Sequence, residues 1–101
     1  MKMLLTVDFP HEPFNTLVRN GQAGAVIGRI LDSIQPEAAY FTEQDGHRCA
    51  IFVVEVANGA AVPALAEQFF LNFNAGCQFR ILMTPAELQQ AGLDELGKRW
   101  S

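Results

Sequence analysis

Titratable and nucleophilic side chains crowd into one short stretch of the sequence, "YFTEQDGHRC", which runs from Tyr40 to Cys49. The stretch holds carboxylates, a histidine, an arginine and a thiol around one glycine, and these residue types serve in acid/base catalysis and in metal sites. No His-x-His, His-x-x-x-His or Cys-x-x-Cys pair fixes two ligands on one element anywhere in the chain. We therefore predict that the protein binds no metal. No phosphate-binding loop or dinucleotide fingerprint is present either, so no cofactor is expected.

Proton transfer is the other chemistry that these residue types allow. General acid/base catalysis needs a side chain that exchanges a proton near neutral pH, and His11 and Glu43 are the candidate catalytic residues. His47 is a further possible participant. The alternative is that these side chains are solvated or hydrogen-bonded parts of the structure, and the sequence leaves both interpretations open.

The centre of the same stretch also predicts a tight turn. Asp45-Gly46 lies between two runs with strand character, and this dipeptide favours a two-residue hairpin because Asp and Gly tolerate positive φ. A turn there places Gln44 opposite His47, Glu43 opposite Arg48 and Thr42 opposite Cys49. Glu43 and Arg48 would then form an oppositely charged pair that stabilises the register.

The elements that must position these residues follow from hydrophobic periodicity, with alternation indicating strands and three-to-four-residue spacing indicating helices. Proline and Asn-Gly or Asn-Ala-Gly sequences mark the ends of several segments. The segments are a strand over residues 1–9, a helical turn near Pro13, a helix from Gln22 to Ile34, strands over 38–44 and 47–56, a helix from about Pro63 to Phe73, and a strand over 77–83. A capping box formed by Thr84 and Glu87, with Pro85 in the first turn, predicts a C-terminal helix.

The order of elements is β-α-β-β-α-β followed by a helix, which predicts an α+β fold. Right-handed crossovers and one hairpin fold this order most simply into a four-stranded antiparallel sheet of spatial order 4-1-3-2, with both helices on one face. At 101 residues, half of them hydrophobic, the chain is expected to form a single domain over residues 1–101.

The helix-free face of this sheet is expected to have an apolar centre and a polar rim. The centre would contain Leu4, Ile51, Val53 and Leu82, and the rim Lys2, Asp8, Tyr40, Thr42, His47, Glu55 and Arg80. Arg80 is expected near Thr6 and Asp8. Such a surface is typical of a dimer interface or a ligand cavity, so we expect a homodimer. One end of the sheet is expected to gather Asp8, His11, Glu12, His47, Cys49 and Cys77.

Composition and charge limit the classes of partner. The net charge is −4 and the 7 Lys and Arg residues are scattered, so no basic surface is available for nucleic acid. No apolar run approaches the roughly 20 residues that span a bilayer, and no signal peptide is recognisable, so we expect neither a nucleic-acid nor a membrane partner and a cytoplasmic location. The 2 cysteines are expected to be reduced and to pack as small hydrophobic residues.

The segment "FFLNFNAGCQFRILMTPAEL", from Phe69 to Leu88, resembles the helix, strand and proline-marked exit of muconolactone isomerase-type members of the dimeric α/β-barrel superfamily. The similarity of topology extends over nearly the whole chain. The resemblance implies ferredoxin-like domains whose sheets face each other in a homodimer. The superfamily includes small-molecule isomerases, cofactor-independent monooxygenases and haem-handling enzymes, so the fold alone does not choose among them. No catalytic motif transfers residue by residue.

The resemblance also implies where a ligand would bind, because members that handle aromatic substrates use a pocket between sheet and helices or inside the barrel. The candidate ligand-binding residues are Phe14, Tyr40, Phe70, Phe73 and Arg80. Arg80 is the candidate partner for an anionic group on a small, partly apolar molecule. Phe70 and Phe73 also fit a plain core stripe at helical spacing.

Three functions therefore remain open. The first is a homodimeric α+β barrel that binds a small, partly apolar molecule. The second is a cofactor-independent isomerase or monooxygenase acting on an aromatic or lactone-like compound, with His11 or Glu43 moving a proton. The third is a non-catalytic assembly module held together by its sheet and by a C-terminal segment with Leu93, Leu96 and Trp100.

Overall fold

The computed structural model describes all 101 residues and has the α+β architecture that the sequence predicts. The helices and strands, in chain order, are β1 (Lys2–Phe9), α1 (His11–Arg19), α2 (Ala23–Ile34), β2 (Ala38–Gln44), β3 (His47–Glu55), α3 (Val62–Phe73), β4 (Gly76–Ile81), α4 (Pro85–Gln90) and α5 (Leu93–Arg99). A short 3-10 turn, Gly59–Ala61, precedes α3. The regular turns of α1 begin at Pro13, because the backbone of Glu12 is extended (φ −110°, ψ 141°).

The four strands form one antiparallel sheet in the order β2-β3-β1-β4, which is the predicted order read from the opposite edge. The β1–β3 register places Leu4 opposite Val53 and Asp8 opposite Cys49. Directly opposed residues of an antiparallel pair lie on the same face of the sheet. The alternation of the sequence therefore predicted correctly which side chains share a face.

The β2–β3 hairpin has the predicted two-residue turn. Asp45 and Gly46 both have positive φ, 53° and 81°, which is the requirement of a type I′ turn. Gln44 pairs with His47 and Glu43 with Arg48, as predicted.

The core lies between the sheet and helices α1, α2 and α3, which cover one face. Odd-numbered residues of β1, from Met3 to Phe9, are buried there with Phe52 and Val54 of β3. Aromatic rings fill the end nearest α1: the Phe9 ring packs edge-on against Phe14 at 5.2 Å and against Phe73 at 5.0 Å. Such edge-to-face contacts add to the free energy gained by burying the rings.

The segment after β4, Thr84–Ser101, is here named the C-terminal arm. It begins with the predicted capping box, in which the Glu87 N–H donates to Thr84 Oγ1 and the Thr84 N–H donates to Glu87 Oε1. The prediction of one C-terminal helix is wrong in detail, because Gly92 has φ 70° and separates α4 from α5.

The arm gives the chain an elongated shape. The radius of gyration is 17.1 Å and the principal extents are 60 × 28 × 20 Å, whereas a compact domain of this length has a radius of gyration of about 13 Å. Neither α4 nor α5 packs extensively on the other helices or on the sheet. None of the helices is both long enough and apolar enough to cross a membrane.

Candidate functional site

The face of the sheet that no helix covers is here named the open face. Three neighbouring strands cross its centre, where Leu4 lies between Val53 and Arg80, and Thr6 lies between Ile51 and Gln78. Its members, assigned from the register, are Lys2, Leu4, Thr6, Asp8, Ala38, Tyr40, Thr42, Gln44, His47, Cys49, Ile51, Val53, Glu55, Gly76, Gln78 and Arg80.

Leu4, Ile51 and Val53 give the open face the predicted apolar centre, but Thr6, Gln78 and Arg80 make the side towards β4 polar. Leu82, the fourth residue predicted there, follows β4 and lies beside Lys2. Leu4, Ile51 and Val53 are half-buried by their strand neighbours alone. Tyr40, on the edge strand β2, remains 68% exposed. Contiguous apolar surfaces of this kind are typical of interaction sites in proteins.

On the open face Lys2 and Glu55 form ion pairs, whereas Asp8 and Arg80 do not. Lys2 Nζ lies 2.8 Å from Glu37 Oε2, and the N-terminal ammonium lies 2.7 Å from Glu55 Oε1. The hydrogen bond that Lys2 donates to Glu37 raises the pKa of Lys2. Arg80 is exposed and forms neither an ion pair nor a side-chain hydrogen bond. Its guanidinium is therefore free to bind an anionic group.

The predicted neighbours of Arg80 are wrong by one pair of residues. Arg80 lies opposite Leu4, whereas Gln78 lies opposite Thr6 and Gly76 opposite Asp8. The register of β4 against β1 is shifted, because Gly76 rather than Gln78 pairs with Asp8, so Arg80 lies two residues further from the Asp8 end than expected. Gln78 is the residue that the sequence analysis missed, and its shared parity with Arg80 was the available signal.

Two histidines meet at the end of the sheet where β1 ends and β3 begins. The imidazole centroids of His11 and His47 lie 4.6 Å apart, with 34° between the ring planes, which confirms that His11 and His47 gather at this end. Beside them is an open groove of about 460 Å³, lined by Asp8, Phe9, Pro10, Gln44, Asp45, His47, Asn74 and Gln78. Asn74, the residue that ends α3, was not predicted as part of this groove.

The side chain of Glu43 stabilises the hairpin turn. Its Oε2 atom accepts a hydrogen bond of 3.1 Å from the Gly46 N–H. The expected ion pair with Arg48 is absent, because the guanidinium of Arg48 lies 4.3 Å from the centroid of the Phe14 ring, and Arg48 Nη1 donates a 2.8 Å hydrogen bond to Asn15 Oδ1. A partly buried aromatic face and an amide oxygen hold the guanidinium in preference to an exposed carboxylate.

The thiols are reduced and shielded. Burial, and then the negative charge of Asp8, raise the pKa of Cys49 and raise that of Cys77 to about 11. Thiols with raised pKa values are poor nucleophiles at neutral pH. No three His, Cys, Asp or Glu side chains lie in an arrangement that could hold a metal ion.

The structure divides the five candidate ligand-binding residues among three places. Phe14 and Phe73 are buried in the core, and their rings stack on each other at 4.9 Å. Phe70 is 38% exposed on α3. Tyr40 and Arg80 lie on opposite edge strands of the open face, roughly 14 Å apart at the usual strand spacing. The 2 grooves of the protein are lined by none of the five.

Comparison with known proteins establishes the fold and no family. No family model matches the chain, and no curated protein matches it. A solved structure, a formyltetrahydrofolate deformylase from Pseudomonas putida KT2440, is similar with a TM-score of 0.50 and 16% sequence identity, over 81% of this chain and 29% of that one. The chain thus spans less than a third of the length of that enzyme. With its βαββαβ order and antiparallel sheet, the chain has a ferredoxin-like α+β fold.

Proposed function

We propose that the chain is a homodimeric small-molecule-binding domain whose site forms between two open faces. The single observation that carries this proposal is an uncovered apolar centre bordered by an unpaired cation, Arg80. A second copy would cover the apolar centre, which one protomer leaves exposed to water.

Two-fold symmetry gives this proposal a concrete geometry. When two sheets face each other about an axis parallel to their strands, the strand order of the second sheet is reversed. β4 of one protomer then lies across from β2 of its partner. Arg80 would approach Tyr40 of the partner subunit, although Arg80 and Tyr40 are far apart within one chain. The resulting arrangement is the dimeric α/β barrel that the sequence resemblance implies.

The ligand class follows from these two side chains. Packed sheets lie about 10 Å apart, so a molecule held between Arg80 and Tyr40 of the partner subunit would have to be flat. An aromatic ring of the ligand would stack on Tyr40, and a carboxylate would accept hydrogen bonds from the guanidinium of Arg80. A small aromatic carboxylate satisfies both requirements.

The test measures thermal stabilisation by substituted benzoates and by the corresponding neutral benzamides. Benzoates are expected to raise the Tm of the wild-type protein more than benzamides do, and Arg80→Gln is expected to lower the affinity for benzoates about tenfold. Arg29→Gln is the matched control, since Arg29 is an exposed residue of α2 and lies away from the open face. The proposal fails if no benzoate stabilises the wild type, or if Arg80→Gln binds benzoates as well as the control does.

A second candidate function is favoured by the stacked imidazoles of His11 and His47 beside the groove that contains Asp8. In this proposal the protein is a cofactor-independent isomerase or monooxygenase of an aromatic or lactone-like compound, with His11 as the proton-transfer residue. Glu43 is the other candidate, although its carboxylate binds the turn. Exchange of solvent deuterium into a lactone, followed by NMR, tests the proton transfer. Loss of exchange in His11→Ala supports it, and absence of exchange in the wild type rejects it.

A further inference from the structure

We infer that the C-terminal arm of each protomer packs along strand β2 of the second copy, so that two exchanged arms close the two edges of the dimer. The inference rests on the proposed face-to-face dimer and adds the segment that holds it together. It joins two features that the protomer leaves unexplained, an apolar arm without a packing surface and an exposed apolar edge strand.

The helices of the arm are too short and too apolar to be stable on their own in water. Its helices α4 and α5 have 6 and 7 residues, whereas isolated helices shorter than about 12 residues are marginal. Leu93 and Leu96 of α5 and Trp100, which follows it, recur at helical spacing and are 58%, 39% and 78% exposed. Tertiary contacts are what stabilise such short amphipathic helices, and the arm makes few with its own body.

The surface area of the protomer indicates how much must be covered. The chain exposes 6742 Å², whereas a compact monomer of 11.1 kDa exposes about 5,700 Å². The excess of roughly 1,000 Å² is close to the area that each partner buries in a stable dimer, about 800 Å². A second copy of the chain is therefore an occupant of the right size.

Strand β2 offers a matching surface. Its outer edge has free backbone groups, its register with β3 runs without a bulge, and it contains no Lys or Pro, the residues that usually protect an edge. At its middle, Tyr40 and Phe41 are 68% and 55% exposed. An edge strand with these properties is suited to being covered by another element.

The symmetry of the proposed dimer brings arm and edge together. β4 lies across from the partner's β2, and β4 ends at the level where that β2 begins, because the two strands run in opposite directions. From Pro85 to Arg99 the arm spans roughly 20 Å at the helical rise, and Ala38–Gln44 spans about the same length as a strand. Because β2 runs opposite to β4, the arm must turn back after β4 in the dimer to follow β2 from its first residue to its last.

The two surfaces also match in shape and charge. Halfway along the arm, α4 and α5 form an open groove of about 530 Å³ whose apolar wall is Leu88 and Leu93, at the level where Tyr40 and Phe41 of the partner subunit would lie. The tip of the arm carries Lys98, which is paired with Glu95 at 3.3 Å, and Arg99, which forms no ion pair. The far end of β2 and its turn carry Glu43 and Asp45 and no basic residue. These opposite charges favour the proposed direction of the arm over the reverse one.

The test mixes two variants that each carry one added cysteine, Phe41→Cys and Leu93→Cys, in a background in which Cys49 and Cys77 are replaced by alanine. Disulfide-linked dimers are measured under mild oxidation. Because each chain carries only one new thiol, a link between the two new positions must join two copies. The control mixture combines Leu93→Cys with Glu67→Cys instead of Phe41→Cys. Glu67 is an exposed position on α3. Efficient linking of the first mixture and little linking of the control is the expected result.

A second measurement uses Trp100, the only tryptophan, whose emission should shift to longer wavelength as dilution dissociates the dimer. If the protein sediments as a dimer, but the first mixture links no better than the control and Trp100 emits as in water, the arm inference is wrong and the proposed function stands. If the protein sediments as a monomer, the dimer on which both depend is wrong.

Discussion

The rings of Phe14 and Phe73 stack with their centroids 4.9 Å apart and 30° between their planes. Phe9 contacts both rings edge-on, at 5.2 and 5.0 Å. The three rings thus form a closed cluster in the core, and the surfaces that Phe14 and Phe73 could offer a ligand are used in holding α1 and α3 against the sheet.

Substitution of Phe73 therefore tests stability. Phe73→Ala removes a fully buried ring, and we expect it to lower the free energy of unfolding by roughly 3–5 kcal/mol. Phe70→Ala, a neighbouring and partly exposed position on α3, is expected to cost about 1 kcal/mol. Urea denaturation of the two variants measures both values. Equal costs would contradict the packing described.

The hydrogen bond between Arg48 and Asn15 links β3 to α1. In double-mutant cycles, we expect Arg48→Met and Asn15→Ala to show a coupling of about 1 kcal/mol, because a charged donor binds a neutral acceptor in a partly buried place. Arg48→Met and Glu43→Gln should show almost none, since no ion pair joins these side chains. A larger coupling in the second cycle would contradict this account. It would indicate that Arg48 forms the cross-strand ion pair with Glu43 that the hairpin register predicts.

The free energy of unfolding is expected to change with pH through the titration of Cys77. Its pKa in the folded protein is about 11, above the ordinary value of 9.0, so the folded state binds the thiol proton more tightly than the unfolded state does. The stabilisation is then complete below pH 9 and is lost as the pH rises from 9 towards 11. Cys77→Ala should remove this part of the decline. Identical pH profiles for the variant and the wild type, measured by urea denaturation, would contradict the assignment.

Two glycines should respond in opposite directions to alanine. Gly46 has φ 81° in the hairpin turn, so Gly46→Ala is expected to cost about 1 kcal/mol. Gly28 lies inside α2 with no atom within 4 Å of the position of an added Cβ, so Gly28→Ala should stabilise the protein by up to about 1 kcal/mol. Thermal unfolding measures both. Destabilisation by Gly28→Ala would mean that α2 lies closer to its neighbours than the structure shows.

The fold and the register were largely predictable because they follow from local rules. Alternation assigned the face of nearly every strand residue, and Asp45-Gly46 determined the pairing of β2 with β3. The strand order then followed from the handedness of the crossovers.

The contacts of individual side chains were less predictable, since they depend on tertiary competition. Arg48 had two possible partners, and the sequence indicated only the cross-strand Glu43. The neighbours of Arg80 depended on the register of β4 against β1, which periodicity does not determine. Gly92 has a positive φ and divides the C-terminal helix, as glycine commonly does just after a helix, and this signal was overlooked. The open face itself was predictable, whereas its role remains the subject of the proposals above.

The most direct test of the account is sedimentation velocity at micromolar concentration, with the wild type beside Val53→Glu and Leu71→Glu. Val53 lies at the centre of the open face beside Leu4, and Leu71 is 80% exposed on α3. The account predicts that the wild type and Leu71→Glu sediment at about twice 11.1 kDa, whereas Val53→Glu sediments as a folded monomer, because a charge cannot be buried unpaired in the interface. A wild-type protein that stays monomeric, or a Val53→Glu variant that stays dimeric, would contradict the claim that a second copy covers the open face.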